Sequence, residues 1–365
     1  MDKIVIYDSE TTNSTIWGSI IEVGAVVVDK NLKEIGKLNI RGRMPEGEVP
    51  SAKALLVNST SIDLLTKGNY SHYEFLGAVE NFFSKAGPAM FMGWSNLNFD
   101  RRMFHFNFFK GNRYPYLTHS SPNQEHDGLH IARAAQTLNP ETLKTELTEA
   151  GNPSLALEAL ARMQGFDTSQ QHTAFHDAYT SLKVLRIIRD KHKDNWDTFL
   201  KTSTKTSVET LLTNDGIYSI FENVKGRNMM YLACTLHPKQ CFHPSYASWG
   251  YLWDLRRDPE PFLDLSVNQL RDILKKFSFF AAGRRSFTDI LQSSFFDKIY
   301  NQFDPDDDIE NLDPWVPKFN FYDFNLASLG GLSIIPNNST WNDRNISSSC
   351  KLINSWYRYF YDIHN

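Results

Sequence analysis

The stretch IVIYDSETT, residues 4–12, opens on an apolar run and closes on two acids one residue apart. The run Ile4 to Tyr7 has the β-branched bias of a strand, and alternate residues of a strand point to the same face. Asp8 and Glu10 therefore present two carboxylates side by side where the strand ends. Like charges held so close repel unless a cation sits between them. Hard divalent ions that prefer oxygen ligands, Mg²⁺ above all, suit such a pair. A pair of solvated strand-end acids is the competing reading of this motif taken alone.

Working outward, further Ile- and Val-rich runs at 20–28 and 38–41 make the first forty residues a meander of three strands. Helical periodicity follows over 71–85, with Phe75, Val79, Phe82 and Phe83 on one side, and then a short apolar strand over 90–94. Further helices are expected over 100–110, 128–136, 155–163 and 175–191. Strands followed by alternating helix and strand predict an α/β layer architecture.

Two later motifs add to the first. MGWSNLNFD, residues 92–100, runs from strand through turn to helix and puts Asp100 at a helix start, where an acid also suits the helix dipole. HTAFHDAYTSLKVLRIIRD, residues 172–190, puts Asp177 in the first turns of a helix with His172 just ahead of it. Histidine is the natural group for taking a proton from water near neutral pH, and His176, beside Asp177, competes for that role. Helix-start acids and a surface histidine would explain each motif separately. Together, four carboxylates and a histidine are the set that two-metal phosphodiester cleavage requires.

The order Asp-x-Glu, middle Asp, His-x₄-Asp resembles the DEDDh family of 3′→5′ exonucleases, whose fold is ribonuclease-H-like. Asp8, Glu10, Asp100, His172 and Asp177 each fall on a family position. Within the family the chain resembles the bacterial exonuclease I group, through residues 49–68, MGWSNLNFDRRMFHFNFFKGNRYPY, HDGLHIARA at 126–134 and PSLALEALARMQGF at 153–166. The resemblance continues through IYSIFENVKGRNMMYLACTLHPKQ and YLWDLRRDPEPFLDLSVNQLRDIL, which are similar to an SH3-like accessory domain, and fades after about residue 280. One departure lies at Asn13, where the family usually has Gly.

The resemblance implies a catalytic domain over 1–195 and an SH3-like domain over 196–285; the segment over 286–365 diverges from it, and a helical run ending in WYRYFYDIHN is expected there. It implies 3′→5′ hydrolysis of single-stranded DNA to 5′-mononucleotides, with two Mg²⁺ ions, for which Mn²⁺ would substitute, held by Asp8, Glu10, Asp100 and Asp177. His172 would be the general base and Thr11 would lie near the terminal nucleotide. Trp17, Trp94 and Phe99 are candidates for stacking bases, and Arg101 for meeting the strand. An exoribonuclease of the same fold and a catalytically silent nucleic-acid-binding adaptor are the alternatives. The shortened tail implies shorter runs per binding event.

Composition sets bounds on these expectations. With 41% hydrophobic and 22% charged residues the chain has the balance of a folded globular protein. Its net charge of -4 gives no global attraction for nucleic acid, so basic surface must be local: Arg101, Arg102, Lys110 and Arg113 form one such cluster, with others around Lys201, Lys225 and Arg256. Three cysteines, Cys234, Cys241 and Cys350, are too few and too irregular for a disulfide framework or a zinc site. No apolar run is long enough for a membrane span and the N-terminus reads as a strand, so a cytoplasmic protein without membrane contact is expected.

Overall fold

A computed structural model of the chain describes residues 1–204, 207, 208, 210, 217–224, 227–235, 252–254 and 334–336. The first compact unit comprises Met1–Ser207 with Phe221–Met230 and Ser328–Ile335. Its centre is a five-stranded sheet in the order β3-β2-β1-β4-β5. These strands are β1 (Lys3–Thr11), β2 (Ile20–Asp29), β3 (Glu34–Arg41), β4 (Met90–Gly93) and β5 (Gln124–Asp127). The meander β1–β2–β3 is antiparallel, whereas β4 and β5 extend the sheet in parallel from the other edge of β1. Parallel neighbours need crossover helices. Those crossovers are why the second half of the unit alternates helix with strand.

β1 is the central strand and is buried on both faces. Ile4 and Ile6 join a core with Val26, Val28, Met90 and Met92, while Val5 and Tyr7 join a second core with Val23, Val27 and Phe91. The first face is covered by α5 (Gly128–Leu138), α6 (Leu157–Gln164) and α7 (Ala174–Lys191), through Ile131, Leu160, Leu182, Leu185 and Ile188. The other is covered by α3 (His72–Ala86) and α4 (Asp100–Lys110), through Phe75, Val79, Phe83, Phe104 and Phe108. Tyr7, Phe83, Phe91 and Phe104 meet mostly edge to face in that second core, an arrangement aromatic quadrupoles favour.

The strands and helices expected within residues 1–191 are present. α3 starts where Ser71 and Glu74 form a reciprocal capping box, and α6 ends at Gly165 in a left-handed conformation that glycine adopts without steric cost. Unanticipated were β5, the short helices α1 (Ala52–Val57) and α2 (Ile62–Thr66), and α8 (Lys193–Leu200). β5 reads QEHD and has no apolar side chain to announce a strand. No helix among the described residues is long and apolar enough to cross a membrane.

A second sheet has the order β8-β7-β6-β9, with β6 (Ile217–Val224), β7 (Arg227–Thr235), β8 (Leu252–Asp254) and β9 (Ile334–Pro336). Three of these strands, β6, β7 and β8, fall on the segments IYSIFENVKGRNMMYLACTLHPKQ and YLWDLRRDPEPFLDLSVNQLRDIL. Residues 267–277, whose sequence pattern predicts a further helix, and the remainder of the segment 286–365, apart from β9, lie outside the described residues.

Candidate active site

Asp8 and Glu10 continue the Ile4 and Ile6 side of β1, so they emerge beneath the start of α7. Oxygens of Asp8, Glu10 and Asp177 all lie within 4.8 Å of one another. The approach of α7 depends on Gly24, which pairs with Asp8 across β1 and β2. A Cβ at that position would fall 2.1 Å from the backbone nitrogen of Phe175 and 2.2 Å from the carbonyl carbon of Ala174. Only a residue without a side chain lets the helix start rest on the sheet here. Glu22, opposite Glu10 in the register, accepts a hydrogen bond from the backbone of Ala174 and is neutralised by Arg41 of β3.

Asp100 reaches the site from the opposite layer. As the first residue of α4 it is almost fully buried and accepts a hydrogen bond from the Ser9 hydroxyl. The turn that delivers it is organised by Asp127, whose buried carboxylate accepts from the backbone nitrogens of Ser95 and Leu129, each at 2.9 Å. Asp100 is not one of the three clustered carboxylates. Its charge is nevertheless the largest electrostatic influence on Asp8 after burial.

Burial and mutual repulsion raise the proton affinity of these groups. Desolvation first, then the charges of Asp100, Glu10 and Asp177, push Asp8 well above the carboxylate range. Desolvation followed by Asp177 and Glu22 pushes Glu10 up to about 8, and burial raises Asp100 to about 7. Asp177 is raised by burial, against which His172 and then His176 act. The set is thus ill at ease as separate anions, and its all-oxygen donors are those that hard divalent cations prefer.

His172 precedes α7 with φ 63°, and its backbone nitrogen donates to Asp177 Oδ2 at 3.3 Å. A residue other than glycine in that conformation marks a turn held by its surroundings. His176 lies in the helix, with a buried Nε2 that has no hydrogen-bond partner among the described residues.

The residues expected to meet substrate have separate surroundings. Thr11 is buried, and its hydroxyl donates to the Asn13 carbonyl at 2.9 Å. Trp94 packs on the α7-side core with its indole donating to the Leu155 carbonyl at 3.0 Å, and Phe99 packs on the other core. Arg101 faces buried Glu125 at 3.6 Å.

No family model matches the chain. Exodeoxyribonuclease I of Haemophilus influenzae is 24% identical to it over 225 residues, 61% of this chain and 47% of that protein. Escherichia coli exonuclease I in complex with a dA16 oligonucleotide superposes with a TM-score of 0.62 at 19% identity, covering 74% of this chain and 58% of that one. A zinc-bound form of the E. coli exonuclease I complex with single-stranded DNA gives a TM-score of 0.60 at 18% identity over 74% of this chain and 58% of that one. The chain is similar to bacterial exonuclease I. It spans about half the length of the curated relatives it matches. The likeness to the solved structures is one of fold, and it agrees with the ribonuclease-H-like architecture expected for the first unit.

Set against exonuclease I, the motif residues quoted above are the legible part of the site, and the residues that position them were missed. Gly24 and Glu22 sit within IIEVGAVVV, where a lone acid and a glycine in an otherwise apolar strand were the available signal. Asp127 gave a weaker one, an acid directly before a helical pattern.

Proposed function

We propose that the protein is a 3′→5′ exodeoxyribonuclease that hydrolyses single-stranded DNA from its 3′ end with two Mg²⁺ ions. The observation that carries this reading is the three-carboxylate cluster of Asp8, Glu10 and Asp177, with Asp100 brought in from the α4 layer by its hydrogen bond with Ser9, the residue after Asp8. It is supported by the likeness to exonuclease I, whose solved complexes hold single-stranded DNA and, in one case, zinc.

On this reading Asp8, Glu10 and Asp177 would hold one ion, and Asp8 with Asp100 the other. Such ions supply Lewis-acid stabilisation of the charge that develops on the attacking and leaving oxygens. His172 takes the proton of the attacking water, and the bond from its backbone to Asp177 ties the base to the acid cluster. Ser9 holds the Asp100 carboxylate in one orientation. Residues 196–285 act as an SH3-like accessory module, and the protein works in the cytoplasm.

A time course on end-labelled single-stranded DNA, blunt duplex DNA and RNA tests the substrate class. Single-stranded DNA should be shortened fastest, because each base-pair step of a duplex end resists opening by about 0.6–2.2 kcal/mol. Faster loss of RNA would assign the site to an exoribonuclease. Stable binding of all three without cleavage would make the protein an adaptor.

A further inference from the structure

Between the loop after β1 and the start of α4 lies a cleft of about 280 Å³, lined by Ser14, Trp17, Asn98, Phe99, Arg102 and Met103 among others. Its volume is just below the ~300–1,000 Å³ of ordinary ligand pockets, which suits one flat ring better than a folded molecule. Trp17 is 74% exposed, and Phe106 meets it edge to face at 6.1 Å, so the ring is braced from the side while much of its surface stays open. The loop that carries it is tied to α4: Lys110 donates to the carbonyls of Trp17 and Gly18 at 3.3 and 3.2 Å, and Asn107 donates to Gly18 at 3.2 Å.

The charge beside this ring is also distinctive. Of the four basic residues around α4, Arg101 faces Glu125, Lys110 holds the loop, and Arg113 pairs with Glu80. Arg102 is exposed and has no hydrogen bond or ion pair among the described residues. An open indole and an uncommitted guanidinium in one cleft match the two faces of a nucleotide, a π-face and a phosphate.

We propose that Trp17 and Arg102 bind the nucleotide next to the one being hydrolysed, Trp17 stacking on its base and Arg102 pairing with its phosphate. The proposal rests on the nuclease reading of the acid cluster. The cleft is lined from the loop after β1 and the start of α4, and none of its lining residues is Asp8, Glu10 or Asp177, so it is a second place on the domain beside the acid cluster. Phe99 lines the cleft and is followed in the chain by Asp100 of the proposed metal site, so the same turn serves both. Stacking accepts any base but requires it to be unpaired, so the cleft would select single strands without reading their sequence.

The test measures kcat/KM for release of the 3′-terminal nucleotide from oligo(dT) strands carrying one abasic site at successive positions from the 3′ end, with Mg²⁺ present. The wild type should lose about 5–100-fold when the abasic site is at the second position. Trp17→Ala should lose a similar factor on the intact strand and little more on that abasic strand, while Trp17→Phe keeps most of the effect. Arg102→Ala should reduce the slope of log kcat/KM against log salt by about one. A wild type that degrades strands but is indifferent to the abasic position overturns the proposal, as do Trp17→Ala and abasic losses that simply add. A wild type that degrades no strand overturns the nuclease reading and the cleft with it.

Discussion

At the scale of single residues the site is a problem of crowded charge. Asp8, Glu10 and Asp177 share one small volume, and Glu10 is raised from 4.5 to about 8. An acid whose folded pKa is raised binds more protons folded than unfolded. Its contribution to stability is complete below the unfolded pKa and is lost as pH climbs through the folded one. In excess chelator the melting temperature should therefore fall between about pH 5 and 8, and Glu10→Gln should flatten that fall. Mg²⁺ should raise the melting temperature more at the alkaline end, where it has no protons to displace. A metal-free protein that gains stability across this range would contradict the proton affinities assigned to the cluster.

The histidines make a second residue-scale comparison. Both lie close enough to affect Asp177, His172 more strongly, and only His172 has the five-residue spacing of the family motif. His172→Ala should lower kcat by about 10²–10⁴-fold, the usual worth of general-base assistance, while His176→Ala does little. Reversed phenotypes in a single-turnover assay would move the base to His176.

At the scale of elements, the site exists because α7 can touch the sheet. Gly24→Ala would drive a methyl group into the backbone at Ala174 and Phe175, which cannot give way as a flexible side chain would. Overpacking of this kind costs about 3 kcal/mol or more, a fall in Tm on the order of 10 °C. Because the displaced turn carries Asp177, activity should fall further than stability alone explains, by at least about 10²-fold. Circular dichroism melts and kcat of the same variant check both halves. An active, fully stable Gly24→Ala would show that α7 approaches β2 less closely.

The elements also show why some of the architecture was legible in the sequence. β1 and β2 announce themselves through unbroken apolar runs, as strands buried on both faces do, and α7 through its helical stripe; Asp8 and Glu10 close the first run and Asp177 opens the helix. β5 is buried by position and not by composition, so QEHD gave no periodic signal although its Asp127 organises the turn before Asp100. Glu22 and Arg41 stand on adjacent strands but nineteen residues apart in sequence, and their pairing depends on a register that no local pattern reveals. Local chemistry was readable; the long-range supports of that chemistry were not.

At the scale of the whole molecule the formal charge of -4 offers no general attraction for a polyanion. Binding must come from local cations, so the proposed activity on single strands should fall with added salt. Initial rates at rising NaCl check this, and a salt-independent rate would point to recognition without phosphate contacts.

Whether a metal-loaded carboxylate cluster trims DNA from its 3′ end is decided by incubating a 5′-labelled single strand with Mg²⁺, with excess chelator, and with the Asp8→Ala protein. A ladder of shortening labelled products is expected with Mg²⁺ alone, and a loss of at least about 10²-fold in the other two reactions. Immediate release of a labelled mononucleotide, or an undiminished ladder in chelator, would contradict it.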